Sequence, residues 1–150
     1  MKKLYILTCL AVLSGCASTA GVDVYLTSIT PLPSTLFEQR VRLDLRVKNL
    51  QETPIQASGI DVSLRLNGKR LARGVDGQAI SVPRLGETTA SVVVSSSIFD
   101  TVKQLLSMRE RDVFTYGLSG KLITPGIDKR FNRSGEISRA DLQPLVQAAD

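Results

Sequence analysis

Histidine is absent from this 150-residue chain, and cysteine occurs only twice. Without histidine, Ser-His-Asp and Cys-His catalysis are excluded, and the commonest zinc ligand is missing. Cys9 lies in an N-terminal apolar run that is typical of a signal peptide, so it is expected to be removed with that peptide. We therefore expect a mature domain without disulfide, metal site, cofactor or catalytic residue.

Nucleotide-binding and hydrolase motifs are also missing: the sequence has no GxSxG elbow, P-loop or GxGxxG. Residues 117–121 resemble part of a phosphate loop, but they lie in a strand pattern in which Gly120 is expected to mark a bulge or close packing. The 14 acidic residues are scattered singly, which gives no reason to expect the carboxylate pair of a glycosidase. The chain is predicted not to be an enzyme.

The positive charge of the chain is modest once the N-terminus is considered. Lys2 and Lys3 leave with the signal peptide, which reduces 19 basic residues to 17 against 14 acidic ones and the formal charge from +5 to +3. Aromatic residues make up only 5% of the chain, whereas a nucleic-acid surface needs clustered cations with rings on which bases stack. We expect no nucleic-acid partner.

The first 16 residues have the order of a bacterial lipoprotein signal. Lys2 and Lys3 precede an apolar run at residues 4–13, which is too short to span a bilayer as a helix. The run ends in Leu13-Ser14-Gly15-Cys16, which resembles the lipobox, where the cysteine thiol receives diacylglycerol and the chain is cut before it. The alternative is a general signal peptide with an accidental cysteine. We predict lipidation at Cys16.

The residues after Cys16 indicate where such a lipoprotein would reside. Two or three acyl chains hold a protein firmly to a membrane. Aspartate directly after the lipobox cysteine tends to retain lipoproteins in the inner membrane, whereas here Ala17 and Ser18 follow. In a Gram-negative source, the expected location is the periplasmic side of the outer membrane, and the expected partner is the membrane itself.

Alternation of apolar and polar residues predicts strands along most of the mature chain. In residues 39–49, every second residue is aliphatic and most of the others are charged, so one face is buried and the other is solvated. The same period returns at residues 60–66, followed by Asn67-Gly68, the dipeptide typical of a type I′ hairpin turn. Further strands are predicted at residues 22–29, 69–75, 78–82, 87–95, 112–124 and 127–138.

One short helix is predicted between two of these strands. Ser96 or Ser97 is the expected N-cap, and the apolar residues that follow recur at near-helical spacing: Ile98, Val102, Leu105 and Leu106. About seven short strands separated by turns favour an all-β, antiparallel two-sheet sandwich over a parallel sheet.

The order of these segments carries a resemblance to a known family. A basic strand that ends at Asn49 is followed by Pro54 and then by five phrases, GIDVSLRLNGK (59–69), ARGV (72–75), ISVPRLGE (80–87), YGLSG (116–120) and FNRSGE (131–136). In this order the phrases resemble the second group of late embryogenesis abundant proteins, the water stress and hypersensitive response (WHy) domain family, in its bacterial lipoprotein form. The family often has an Asn-Pro-Asn-like stretch where residues 49–54 read NLQETP.

The resemblance covers residues 22–138 and implies a fold and a role. The implied fold is an immunoglobulin-like or fibronectin-III-like β-sandwich with a short helix, without a catalytic residue. The implied role is in desiccation and related stresses. The expected organisation is a lipoprotein signal peptide at residues 1–15, a lipidated tether at 16–21, a WHy-like β-sandwich domain at 22–139 and a C-terminal tail at 140–150.

Two functions are compatible with the sequence. The first is a non-enzymatic, membrane-anchored protein that protects the cell envelope or its proteins when water is withdrawn. The alternative is an envelope binding or scaffolding module that captures a protein or polysaccharide through its loops or an edge strand.

A row of cations on one strand face offers a candidate binding surface, formed by Arg40, Arg42, Arg46 and Lys48. Such a row could bind anionic lipid headgroups or lipopolysaccharide phosphates. Asp44 interrupts it, and charged outward positions are ordinary on a half-exposed strand. We favour a solvated face for this row, and core packing for the apolar stripe of the predicted helix.

Overall fold

The computed structural model of the chain describes residues 21–33, 35, 37–97 and 112–141. Within them lie nine strands: β1 (Val22–Pro31), β2 (Glu38–Asn49), β3 (Ile55–Ala57), β4 (Gly59–Leu66), β5 (Lys69–Asp76), β6 (Ile80–Val82), β7 (Glu87–Ser97), β8 (Val113–Ile123) and β9 (Lys129–Ser138). Seven strands form one sheet in the order β1-β2-β7-β5-β4-β8-β9, and β3 pairs with β6. All these pairings are antiparallel, which confirms the predicted all-β, antiparallel class.

The seven-stranded sheet is curled until it is nearly a barrel. Its two parts, β1-β2-β7 and β5-β4-β8-β9, are joined by the single residue pair Arg73 and Ser95. On the opposite side the edge strands approach each other, and the Nη1 atom of Arg133 in β9 lies 3.0 Å from the Oδ2 atom of Asp23 in β1. The curl brings the inward faces of all seven strands around one core.

Aliphatic side chains from alternate positions fill that core. In β2, Leu43, Leu45 and Val47 are fully buried, while Arg42 and Arg46 at the alternate positions are exposed, as the alternation predicted. Each such side chain contributes roughly 1.5–3 kcal/mol when it leaves water, so this alternation fixes which face of each strand turns inward. The other strands of the sheet add Val22, Val24, Ile60, Val62, Leu64, Ala72, Ala90, Val92, Val94, Leu118, Leu122 and Phe131.

The Asn67-Gly68 hairpin between β4 and β5 confirms the predicted turn. Both residues have positive φ, 48° for Asn67 and 79° for Gly68, as a type I′ turn requires. The turn is also fastened to β8, because the Oδ1 atom of Asn67 accepts a hydrogen bond of 3.1 Å from the amide of Thr115. The turn therefore sets the register of both β5 and β8 against β4.

Several segments differ from the predictions or lie outside the described residues. The strand β3 (Ile55–Ala57) was not predicted, and β7 runs through Ser97, two residues beyond its predicted end. The predicted helix at residues 98–106 lies outside the described residues. After β9 the chain turns helical at residues 139–141, where the Oγ atom of Ser138 donates a hydrogen bond of 2.7 Å to the carboxylate of Asp141.

The two ends of the curled sheet differ in what they carry. We call one the tether end, because Gly21, the last residue of the predicted tether, lies there. It comprises the loops at residues 49–54, 83–86 and 124–128. The opposite, distal end carries the loop between β1 and β2 and the hairpin at Asn67-Gly68. The strand register requires this division, since Val22 pairs with Asn49 at the start of β1 and Pro31 pairs with Val41 at its end.

Candidate functional site

The predicted lipidation site, Cys16, lies outside the described residues, but the point where the predicted tether joins the domain does not. The carbonyl of Gly21 accepts a hydrogen bond of 2.9 Å from the amide of Leu50, and Gly21 has φ of 67°. Glycine suits this position because other residues rarely adopt such a positive φ, and a Cβ atom here would also displace the side chain of Gln51. The chain thus enters the domain at a fixed place. No helix among the described residues is long and apolar enough to cross a bilayer.

Asn49 organises the loops of the tether end. Its side chain is 2% exposed, and its Nδ2 donates hydrogen bonds to the carbonyls of Thr53 at 2.7 Å and Pro83 at 3.1 Å. Its Oδ1 accepts a hydrogen bond of 2.9 Å from the amide of Gln51. A buried amide with these partners satisfies the backbone of two loops that no strand ladder reaches. Asn49 therefore holds the loop at 49–54 against the turn at 83–86.

The predicted basic row is present on the outer face of β2, but its members do not form one cationic site. Arg40, Arg42 and Arg46 are exposed, and the Nε atom of Arg46 lies 3.9 Å from the Oε1 atom of Glu87. Asp44 sits in the middle of the row and accepts a hydrogen bond of 2.6 Å from Ser91. Lys48 lies 5.7 Å from the ring centre of Tyr25. The row is an exposed strand face whose charges are partly balanced by acids.

A cluster of Asp23, Tyr25 and Arg133 latches the two edge strands together. Nη1 of Arg133 lies 3.0 Å and 3.3 Å from the carboxylate oxygens of Asp23, and its guanidinium carbon lies 4.1 Å from the ring centre of Tyr25. Tyr25 donates a hydrogen bond of 2.7 Å to Asp23, which raises the pKa of the phenol. The guanidinium thus binds the carboxylate and packs on the ring between β1 and β9. This arrangement stabilises the contact of the two edge strands and is not a catalytic one.

Two further ion pairs stiffen the β5-β4-β8-β9 part of the sheet. Arg73 donates two hydrogen bonds to Asp61, at 2.7 Å and 3.2 Å, and they hold the pKa of the Asp61 carboxyl below its ordinary value. Lys121 donates one of 2.6 Å to Asp128 in the turn between β8 and β9, which lowers the pKa of that carboxyl. Both carboxylates are paired with cations, so neither is poised to accept a proton from a substrate.

The outer surface of the same four strands is mostly polar, with Val75 as an exposed apolar exception, and we call it the polar face. Cross-strand neighbours on this face form an uncharged row, Ser63, Ser119 and Asn132. The next row is charged and consists of Asp61, Lys121 and Arg130. Other polar members of the face include Arg65, Arg73, Thr115, Ser134 and Glu136. Its hydroxyl, amide and charged groups present closely spaced donors and acceptors.

Two of the clefts among the described residues are lined partly by β1. An open cleft of about 560 Å³ between β1 and β9 is lined by residues that include Leu26, Ile29, Tyr116 and Glu136. A smaller apolar cavity of about 60 Å³ lies between Val41, Leu71 and neighbouring side chains. Across residues 21–33, 35, 37–97 and 112–141, no three side chains of the metal-binding kinds cluster together.

Sequence reasoning missed the residues that shape this surface most. Asn49 was recognised only as the end of a strand, although the sequence signal was an asparagine at an inward position of an alternating strand. The latch had no signal in the sequence, because Asp23 and Arg133 are separated by 110 residues.

Comparison with known proteins places the chain among relatives of known fold. A family profile described as late embryogenesis abundant protein matches residues 44–135. A solution structure from Arabidopsis thaliana is similar, with a TM-score of 0.60 and 14% identity over 77% of this chain and 80% of that one. A Bacillus subtilis protein described as a lipoprotein has a TM-score of 0.51 and 13% identity over 87% of this chain and 40% of that one. At these identities the structural likeness shows the fold alone. No curated protein matches the sequence.

Proposed function

This chain belongs to the late embryogenesis abundant protein family, and from that membership we propose that it is a stress-protective lipoprotein of the bacterial cell envelope, of the WHy type. Proteins of the family are generally non-enzymatic, and membership suggests a stress-related role. The proposal adds that Cys16 carries the lipid, that the domain faces the periplasm from the outer membrane, and that its sheet is a fibronectin-III-like sandwich of β1-β2-β7 against β5-β4-β8-β9.

The family match across residues 44–135 is the observation that carries the proposal. It includes β4, β5, β7 and β8 in full, together with the polar rows that these strands present. Because the match spans the body of the sheet, the suggested role attaches to the folded domain rather than to a tail. The lipobox then supplies a location for that role.

The polar face offers a physical route to protection during drying. When water is withdrawn, polar groups of neighbouring proteins and headgroups lose their hydrogen-bond partners, and each unsatisfied buried group costs about 1–3 kcal/mol. Ser63, Ser119 and Asn132 provide side chains that donate and accept on a sheet whose own backbone bonds are already made. A face of this kind replaces lost water without itself unfolding, and it separates neighbours that would otherwise aggregate.

Drying of a reporter enzyme tests this function. The mature chain with Cys16→Ala is dried with a drying-sensitive enzyme and compared with an equal mass of an inert globular protein. Recovery of activity well above the inert control is expected. A triple variant, Ser63→Ala with Ser119→Ala and Asn132→Ala, is expected to protect less. Its matched control carries Thr30→Ala, Thr89→Ala and Ser95→Ala on the outer side of β1 and β7. Recovery equal to the inert protein would contradict the proposal.

One observation favours the second candidate, an envelope binding module. Phe37, in the loop between β1 and β2 at the distal end, is 81% exposed, and a large exposed aromatic side chain is typical of a binding anchor. If this function holds, one envelope protein co-purifies with the lipidated chain, and Phe37→Ser abolishes that co-purification. Binding that survives Phe37→Ser would exclude this loop as the anchor.

A further inference from the structure

We propose that the tether end inserts apolar side chains into the surface of the bilayer that holds the lipid anchor. The inference rests on the lipid at Cys16 that the proposed function includes. It concerns three residues, Leu50, Leu85 and Ile127, which we call the apolar tip. Their exposed fractions are 58%, 61% and 80%, although each is a large aliphatic residue.

The three residues lie together around the point where the tether enters. The amide of Leu50 donates its hydrogen bond to Gly21, and the amide of Leu85 donates one of 3.0 Å to the carbonyl of Gln51. Ile127, in the turn between β8 and β9, borders a shallow cleft that Gln51 and Pro54 also line. The apolar tip is therefore formed by three loops that are distant in sequence and adjacent in space.

The length of the tether decides what this surface meets. The five residues at positions 16–20 precede Gly21, and a fully extended chain spans at most about 3.6 Å per residue, so the acylated cysteine lies within about 18 Å of Gly21. The strand β2, by contrast, has 12 residues and extends roughly 40 Å away from this end. Of the described surfaces, the tether end is thus the one that the anchor holds beside the lipid.

The backbone of Leu85 gives an independent reason to assign a role to the tip. Leu85 has φ of 50°, in the left-handed region that suits glycine or asparagine and disfavours a bulky side chain. Its conformation is held by the hydrogen bond to Gln51 and by that from the amide of Gly86 to the carbonyl of Pro83. Because the side chain of Leu85 is exposed, packing in the core does not offset the strain of this backbone conformation. We therefore infer that the side chain contacts something outside the domain.

The charges beside the tip identify the kind of contact. Arg84 and Glu52 are both exposed near Leu85 and Leu50, and they oppose each other in sign. Beside Ile127, Asp128 is paired with Lys121 at 2.6 Å, and Lys129, which lines the same cleft, adds one cation. Because the charges beside the tip nearly balance, its affinity is expected to come mainly from burial of aliphatic surface at the boundary between headgroups and acyl chains. Insertion is expected in neutral lipid as well as in anionic lipid.

Depth-dependent quenching in vesicles tests the inference with the lipidated full chain. The acylated protein is reconstituted into phosphatidylcholine vesicles that carry a nitroxide on the acyl chain. Because the thiol of Cys16 is consumed by the lipid, a fluorophore attaches only to an added cysteine, at Arg84→Cys in the tip or at Lys69→Cys at the distal end. Quenching is expected to be about twofold or more greater at position 84, and to change little when phosphatidylglycerol is added.

Serine variants separate insertion from simple proximity. Changing Leu50, Leu85 and Ile127 together to serine is expected to lower quenching at position 84 to the level at position 69. The matched control, Phe37→Ser with Val113→Ser, removes exposed apolar side chains at the distal end and is expected to change nothing. Vesicle flotation accompanies each measurement. Flotation with equal quenching at both positions would overturn the insertion alone, whereas loss of flotation would overturn the lipid anchor and the insertion with it.

Discussion

Replacement of Asn49 by leucine tests whether one buried amide holds the tether end together. Leucine has the same branching and the same number of side-chain heavy atoms, although it is somewhat larger, so the change mainly removes hydrogen bonds. Three hydrogen bonds of 3.1 Å or shorter are lost, to Thr53, Pro83 and Gln51. At a net value of about 1 kcal/mol each, reduced because part-buried partners recruit water, the free energy of unfolding is expected to fall by about 2–3 kcal/mol.

The assay is urea unfolding of the mature Cys16→Ala chain, followed by circular dichroism because the chain has no tryptophan. The midpoint is expected to fall while the slope stays constant, since the area exposed on unfolding is unchanged. Gln56→Ala, which removes an exposed side-chain hydrogen bond of 2.9 Å to Ser81, is the control, with an expected change within about 0.5 kcal/mol. A loss below about 1 kcal/mol for Asn49→Leu would refute the role assigned to this residue.

Three further changes probe the latch, an ion pair and the apolar tip. Arg133→Met is expected to reduce the free energy of unfolding by about 1 kcal/mol, because its half-exposed ion pair and ring contact are lost, while Arg130→Met on the same strand changes little in urea unfolding. The pKa of Asp61 is lowered by Arg73, so its stabilising contribution is present above its ordinary pKa of 3.8 and is lost as pH falls through the lower, folded value. Acid unfolding curves are therefore expected to be steeper for the wild type than for Asp61→Asn in this range, and identical slopes would contradict the assignment. Leu85→Asn is expected to raise stability by up to about 1 kcal/mol while it weakens lipid insertion; a drop in thermal midpoint would contradict the strain assigned to that turn.

Strand periodicity predicted the body of the fold from sequence because most strands have one wet and one buried face. The apolar positions of β2 and β4 turn inward as expected, and Asn67-Gly68 forms the expected hairpin turn. Such signals are local, since side-chain alternation and turn conformation depend on adjacent residues. Short stretches of sequence are therefore enough to predict the strands and the turn.

Features that depend on pairing across the chain were harder to predict. The strand β3 has three residues, too few to display a period, and it exists through its pairing with β6, whose Ser81 lies opposite Gln56. The curl of the sheet depends on the sparse junction at Arg73 and Ser95, which no local pattern marks. The helical turn after Ser138 had a local signal, the capping pattern Ser-x-x-Asp ending at Asp141, and it was overlooked.

The candidate surfaces also differ in how much of each can be predicted from the sequence. The basic row on β2 was visible in the sequence because its members alternate, but its balance by Glu87 required the register of β7 against β2. The apolar tip was not foreseen because its three residues are single aliphatic side chains in separate loops. Only the fold places Leu50, Leu85 and Ile127 at one end.

Protection of a neighbour on the same membrane tests the central claim most directly. Vesicles that carry the lipidated protein are dried with a drying-sensitive reporter enzyme, beside vesicles that carry an equal mass of an unrelated acylated domain. If the chain is an envelope stress protein, rehydrated samples recover more reporter activity with it than with the unrelated domain, and the difference shrinks when Ser63, Ser119 and Asn132 are alanine. Equal recovery from the two kinds of vesicle would contradict the claim.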